Sequence, residues 1–251
     1  MQILHCFSNN EPELTLTAIA ERLDMHKSIA SRLVTSLCDW RMLERDPLTK
    51  RIRLGMGAWQ LGMLVSNQNA LVRAALPVLT DLAERTRHSA HVAILERDEM
   101  FVVATVQSPE ALRVTLQVGD RRPLHATAAG KLMLAFMSEE QRAQALPKGS
   151  LQRLTRATIT SMAELEASLT LVRRAAVAWN EGESATGVGG VAAGVFNVAG
   201  SMIATVSSVF PQTLVAQSQK SALANEVRKS AEALSIKFGW DGITTAWKTK
   251  K

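Results

Sequence analysis

The sequence predicts an α+β protein in two parts joined by a helical segment. Three observations predict it. Between Leu16 and Leu54, two helical apolar patterns precede a turn signal and a short alternating stretch, the order of a small helical domain ending in a hairpin. From His88 to Trp240, strand-like runs and amphipathic helices come in separate groups, which favours an antiparallel sheet over a parallel doubly wound one. Between these parts lies a helical stretch broken at Ser66-Asn67-Gln68-Asn69.

In the first part, Leu16, Ile19, Ala20 and Leu23 recur at helical spacing, with Thr15 or Thr17 able to cap the start. Asp24-Met25 reads as a turn. His26 or Ser28 opens a second helix with an expected apolar face of Ile29, Leu33, Val34 and Leu37, fading near Trp40. Asp46-Pro47-Leu48-Thr49-Lys50 is a turn signal, because proline fixes φ and aspartate bonds nearby backbone. Arg45 before it and Arg51-Ile52-Arg53-Leu54 after it make a hairpin with a basic exposed face. This is a winged helix-turn-helix.

The middle segment carries one stripe of Trp59, Met63 and Leu64 and another of Leu71, Ala75, Val78, Leu79 and Leu82, with Pro77 at an early helical position or a kink. In the last part, Ala90–Glu96 and Met100–Val106 read as a hairpin turning at Arg97-Asp98, and Leu112–Val118 as a third strand. Helices are expected at Thr127–Met137, Glu164–Trp179 and Ser218–Phe238, and strands at Gly190–Phe196 and Met202–Val209. The expected domains are 1–57 for the winged helix, 58–87 for the linker, 88–240 for the C-terminal domain and 241–251 for a basic tail read as a frayed end.

Composition narrows the function. The 251 residues are 47% hydrophobic and 21% charged, an ordinary globular balance. The net charge of +6 suits a polyanionic partner. Cys6 and Cys38 show no metal-ligand spacing, so a disulfide framework is not expected and a reducing cytoplasm is. No membrane span or signal segment is legible. There is no G-x-S-x-G, H-E-x-x-H or P-loop, and the five histidines have no metal spacing. Neither an enzyme nor a metal or cofactor is expected.

In a helix-turn-helix, the second helix enters the major groove of duplex DNA. Lys27, Ser28, Ser31, Arg32 and Thr35 lie near one face of that helix. Arg32 can bond a guanine bidentately or clamp a phosphate, and the small hydroxyls permit close approach. Lys50, Arg51 and Arg53 on the hairpin suit flanking phosphates. From Arg22 to Arg53 there are eight basic and four acidic residues, so affinity should fall steeply with salt.

The run L-x-x-I-A-x-R-L, followed by K-S-I-A-S-R-L-V-x-S-L and the wing E-R-D-P-L-T-K-R-I-R-L-G, resembles the isocitrate lyase regulator (IclR) family of bacterial transcription factors. Gly119–Ala135 (GDRRPLHATAAGKLMLA), Leu154–Ile159 (LTRATI) and Glu183–Phe196 (ESATGVGGVAAGVF) are similar to three further family signatures, in the family's order. The resemblance implies a linker helix, a C-terminal effector domain of GAF-like fold, and a homodimer or homotetramer on a double-stranded DNA operator. It implies a small organic acid or aromatic compound as effector.

Positions carried over by this resemblance are Ala111 and Val114 before the signature, Ala128 and Ala129 facing the ligand, Asn180 on a wall, and Val188, Gly190, Ser207 and Val209 on closing strands. The unpaired amides at the start of the helix after Thr127 suit a carboxylate. The chain departs from the family pattern at several places. Met1 begins inside the family's first helix, where members usually carry several earlier residues, Gly190 stands where cysteine is common, Gly194 where proline is, and Ala176 where glycine is, while Ser208-Val209-Phe210-Pro211 replaces S-x-S-G-P. Gly190 excludes metal ligation by a pocket cysteine and widens the floor toward a ligand larger than a two- or three-carbon acid. Lys131 reads as a helix-surface lysine in preference to an anion partner. His125 and His91 read as histidines satisfied by the fold. Two alternatives stand: a DNA-binding regulator whose C-terminal domain only oligomerises, and a small-molecule protein with a vestigial winged helix.

Overall fold

The computed structural model describes residues 1–8, 11–146 and 149–242, so the expected basic tail lies outside the described residues beyond Gly242. Contacts divide the chain into two units, Met1–Ala70 and Leu71–Lys251. The division splits the expected linker, leaving its first helix with one unit and its second with the other.

The first unit contains a 3-10 turn (Gln2–Cys6), β1 (Glu13–Leu14), α1 (Leu16–Arg22), α2 (Lys27–Asp39), β2 (Leu43–Arg45), β3 (Ile52–Leu54) and α3 (Met56–Gln68). Thr15 is the cap of α1, its hydroxyl accepting the Ala18 N–H at 3.1 Å. Asp24 takes a positive φ of 46° in the turn, a conformation that aspartate tolerates better than most residues. At the wing tip, Asp46 Oδ1 accepts the N–H groups of Leu48 and Thr49 at 2.9 and 2.6 Å, fixing the hairpin. The strand β1, which local patterning did not announce, pairs with the other edge of β3 through Glu13–Arg53 and Leu14–Ile52. Gly55 is required by close approach, since a Cβ there would lie 2.3 Å from the Arg41 carbonyl oxygen.

The buried face of α2 differs from expectation. Ala30 and Val34 are buried and pack toward the core of Ile3, Leu14, Ile19, Leu43 and Ile52, whereas Ile29 and Leu33 are 52% and 44% exposed. Each sits one position before the seam, about 100° around the helix, and small Ala30 takes the place nearest the core. In α3 no residue is buried, and Trp59, Leu64 and Val65 are largely exposed, so its stripe is not core within this unit.

The second unit contains α4 (Ala70–Thr86), β4 (Ser89–Glu96), β5 (Glu99–Val106), β6 (Arg121–Pro123), α5 (Ala128–Phe136), α6 (Glu139–Ala145), α7 (Met162–Ala175), β7 (Ala178–Glu181), β8 (Val188–Phe196), β9 (Met202–Pro211) and α8 (Lys220–Lys237). The six strands form one antiparallel sheet in the order β6-β5-β4-β9-β8-β7. Strand alternation sends Val92, Val191, Val195 and Val206 to one face, where they pack with Leu79 and Leu82 of α4 and Val227 and Leu234 of α8. Ala93, Val102 and Ala192 face the other way, against Leu132 of α5 and Leu165 and Leu169 of α7.

Two expected elements are corrected. Leu112–Val118 is not a strand: Leu112 and Val118 are exposed, and the segment is held by side chains, with Ser89 Oγ donating to the Val114 carbonyl at 2.7 Å and Gln107 Nε2 to that of Leu116 at 2.8 Å. The strand pairing with β5 is Arg121–Pro123 instead. The helix expected to reach Trp179 ends at Ala175, where Ala176 turns left-handed (φ 60°) and donates its N–H to Val172 O at 2.8 Å. Trp179 and Asn180 then lie in β7.

Candidate functional site

In the first unit, Lys27, Ser28, Arg32 and Thr35 of α2 are exposed and Ser31 is half-buried, spread over an arc away from the Ala30–Val34 seam. Lys27 and Arg32 form no ion pair among the described residues. On the wing the basic residues are unequal. Arg53 is held by carboxylates, 3.3 Å from Glu44 and 3.9 Å from Glu13. Lys50 turns back to donate to the Pro47 carbonyl at 2.7 Å. Arg51 is exposed, with no side-chain partner among the described residues.

In the second unit, a cavity of about 260 Å³ lies on the α5 side of the sheet. All six strands reach it: Arg122 on β6, Met100 on β5, His91 on β4, Ser207 and Val209 on β9, Val188 and Gly190 on β8, and Asn180 on β7. Val114 and the α5 start, Thr127, Ala128 and Ala129, complete the wall. Eight of the nine positions carried over by resemblance thus line one cavity. Ala111 does not; it is exposed on the loop that was expected to be a strand.

Local chemistry fixes the α5 end. Thr127 Oγ1 accepts the Gly130 N–H at 3.0 Å, and the Thr127 carbonyl that of Lys131 at 2.9 Å. Ala128 and Ala129, whose amides as the first of the helix have no acceptor within it, line the cavity. Gly130 lets the helix lie on the preceding turn, for a Cβ there would come within 2.3 Å of the Leu124 carbonyl oxygen.

Lys131 is not a surface lysine. It is 4% exposed, and its Nζ donates to both carboxylate oxygens of Glu183 at 2.6 Å. From Ala128 to Ala135 every residue of α5 is buried, so the helix has no solvent face on which a lysine could lie. Glu183 N–H in turn donates to Asn180 Oδ1 at 2.9 Å, Asn180 Nδ2 donates to Ser184 Oγ at 2.7 Å, and Thr158 Oγ1 donates to the Glu183 carbonyl at 2.7 Å. Asn180 is therefore a wall whose amide is largely committed to this turn.

The histidines divide. His125 Nε2 lies 2.9 Å from the Gln152 carbonyl and fixes its loop as expected. His91 does not fit that expectation: it is 3% exposed, lines the cavity, and neither ring nitrogen has a protein partner among the described residues. Burial holds it neutral, pulling its pKa down to about 4 against a weaker opposing pull from Asp120. Ser207, opposite it in register, is 1% exposed with an unpartnered hydroxyl. Sequence reasoning also missed Arg122. The signal available was strand alternation, which sends Arg121 and Arg122 to opposite faces. No group of three or more potential metal ligands occurs among the described residues, and no described helix is long and apolar enough to cross a membrane.

Comparison with known proteins matches residues 1–47 to the IclR helix-turn-helix domain and residues 63–236 to the bacterial transcriptional regulator IclR C-terminal domain. The HTH-type transcriptional regulator BhcR of Paracoccus denitrificans is 31% identical over 223 residues, 89% of this chain and 80% of that protein. The HTH-type transcriptional regulator XynR of Escherichia coli is 28% identical, over 96% of this chain and 95% of that protein. Among solved structures, an IclR homologue from Microbacterium hydrocarbonoxydans, complexed with 4-hydroxybenzoate, superposes with a TM-score of 0.84 at 26% identity, covering 95% of this chain and 96% of that one.

Proposed function

Because the chain belongs to the IclR family of transcriptional regulators, we propose that it binds operator DNA under the control of a small organic acid, carboxylate or aromatic, held in the C-terminal cavity. DNA binding and a ligand-binding C-terminal domain follow from the family; the effector class, the residues and the assembly are the proposal. Residues 1–57 would carry the DNA contact, 58–87 the coupling and 88–240 the effector.

Lys27, Ser28, Ser31, Arg32 and Thr35 are the base-reading and phosphate-contacting face, with Lys50, Arg51 and Arg53 on flanking phosphates. Ala128, Ala129, Asn180, Val188, Gly190, Ser207, Val209 and Val114 form the effector wall. The observation that carries the effector reading is the cavity itself: lined by residues of all six strands and by the start of α5, with two buried polar side chains that have no hydrogen-bond partner among the described residues. The M. hydrocarbonoxydans homologue with 4-hydroxybenzoate supports the same class of ligand.

The exposed Trp59, Leu64 and Val65 of α3 support a homodimer, because an apolar helix face of this kind needs a partner surface. Two recognition helices would then meet half-sites about 34 Å apart.

A thermal-shift screen of the full chain against carboxylates and aromatic acids tests the reading. A true effector at a hundred times its Kd stabilises by about 2.7 kcal/mol. A screen in which no acid raises Tm favours a C-terminal domain that only oligomerises.

A further inference from the structure

We propose that Arg122 is a specificity-determining residue of the effector cavity, and that the effector is a carboxylate carrying a second, uncharged hydrogen-bonding group, a hydroxyl or a carbonyl oxygen. This rests on the reading of the cavity as the effector site.

In the register of β6 with β5, Arg121 sits opposite Phe101 and Arg122 opposite Met100. Alternation sends the two arginines apart. Arg121 lies over the Phe101 ring, 4.7 Å from its centroid, and pairs with Glu99 at 3.5 Å. Arg122 is solvent-exposed, lines the cavity together with Met100, and has no ion pair or hydrogen bond among the described residues. It is the one formally charged side chain in the lining, and no acidic residue shares that lining. Lys131, the other cation on this side, is taken by Glu183. The cavity is thus lined by an exposed guanidinium with no ion pair among the described residues and by the first residues of α5, an arrangement suited to one carboxylate.

The sheet floor has the opposite character. His91 and Ser207 are cross-strand neighbours, both more than nine-tenths buried, neutral, and without a side-chain partner among the described residues. Buried polar groups of this kind take a hydrogen bond, whereas a carboxylate set there would be desolvated without a counter-charge. A ligand that satisfies both ends has its acid at Arg122 and α5, and a neutral oxygen at the floor. The volume of about 260 Å³ limits it to a single ring or a short chain.

The test is calorimetric titration of the full chain and its Arg122→Leu, Arg122→Lys and Ser207→Ala variants with two probe sets. One is 4-hydroxybenzoate, benzoate and 4-hydroxybenzamide; the other is 4-oxopentanoate, pentanoate and 4-oxopentanamide. In the wild type, the oxygen-bearing acid should bind about tenfold more tightly than its deoxy partner and about a hundredfold more tightly than its amide. Arg122→Leu should erase the acid-over-amide preference, Arg122→Lys should keep part of it, and Ser207→Ala should shrink the preference for the distal oxygen. An acid preference that survives in Arg122→Leu overturns the assignment of Arg122. Equal binding of acids and their deoxy partners by the wild type overturns the two-ended ligand. If no member of either set binds the wild type, the reading of the cavity as an acid site falls, and this proposal with it.

Discussion

His91 on β4 stands directly opposite Ser207 on β9, and neither side chain finds a hydrogen-bond partner among the described residues. Two unsatisfied buried polar groups side by side are costly, about 1–3 kcal/mol each. Their cost is consistent with a floor kept for a ligand rather than optimised for stability.

The neutrality of His91 gives a pH dependence. Its folded pKa, about 4, lies below the ordinary value of 6.5, so the unfolded chain binds the proton first as pH falls. The stability this histidine contributes is complete above about pH 6.5 and is lost on acidification toward pH 4, by roughly 3 kcal/mol. Urea unfolding of the wild type and His91→Gln at pH 7 and pH 4.5 checks this: the wild type should lose more stability than the variant over that interval. Parallel losses would mean that His91 is not the group responsible.

Lys131 and Glu183 tie the start of α5 to the turn that follows β7. Lys131→Met leaves a buried carboxylate without its partner and should cost about 3–5 kcal/mol in denaturant unfolding. The double variant Lys131→Met with Glu183→Leu should recover much of that loss, because the desolvation of both charges is removed together. A single variant as stable as the wild type would contradict the buried pair.

Ala176 ends α7 in the left-handed region, where an alanine Cβ is strained. Ala176→Gly should raise stability by about 1 kcal/mol, read from the urea midpoint at unchanged m. A lower midpoint would mean that the Cβ is worth more in packing than it costs in strain.

The sequence carried the architecture where a signal was local. Thr15, Asp24 and Asp46 announced caps and turns by their own chemistry, and the stripe through Ala75, Leu79 and Leu82 announced a core face. It carried less where pairing decides. Leu112–Val118 alternates like a strand, yet β5 pairs with Arg121–Pro123, a choice made by tertiary register. Ile29 and Ala30 differ by one helical position, and only the packing of α1 on α2 says which is the seam. The site was legible mainly as small residues at a helix start. The burial of Lys131, the missing partners of His91 and the facing of Arg122 depend on strands distant in sequence, which no local period encodes.

The wing predicts a split between two neighbouring arginines. Arg53 is occupied by Glu44 and Glu13, while the Arg51 side chain has no partner among the described residues. Arg51→Ala should lower the slope of log K against log salt by about 1, and Arg53→Ala by less. Equal slopes for the two variants in a salt-titrated gel shift would contradict this. Arg32→Ala, by contrast, should cost about 1–3 kcal/mol on the preferred site and relax specificity.

On the proposed function, filling the cavity changes how tightly the recognition helix holds DNA. The most direct test is competition binding at fixed salt to a duplex that the wild-type protein itself selects from a random pool, with and without an acid that stabilises the full chain. Saturating the cavity should change DNA affinity by about 5- to 150-fold. An affinity that stays the same with the cavity fully occupied would contradict that coupling.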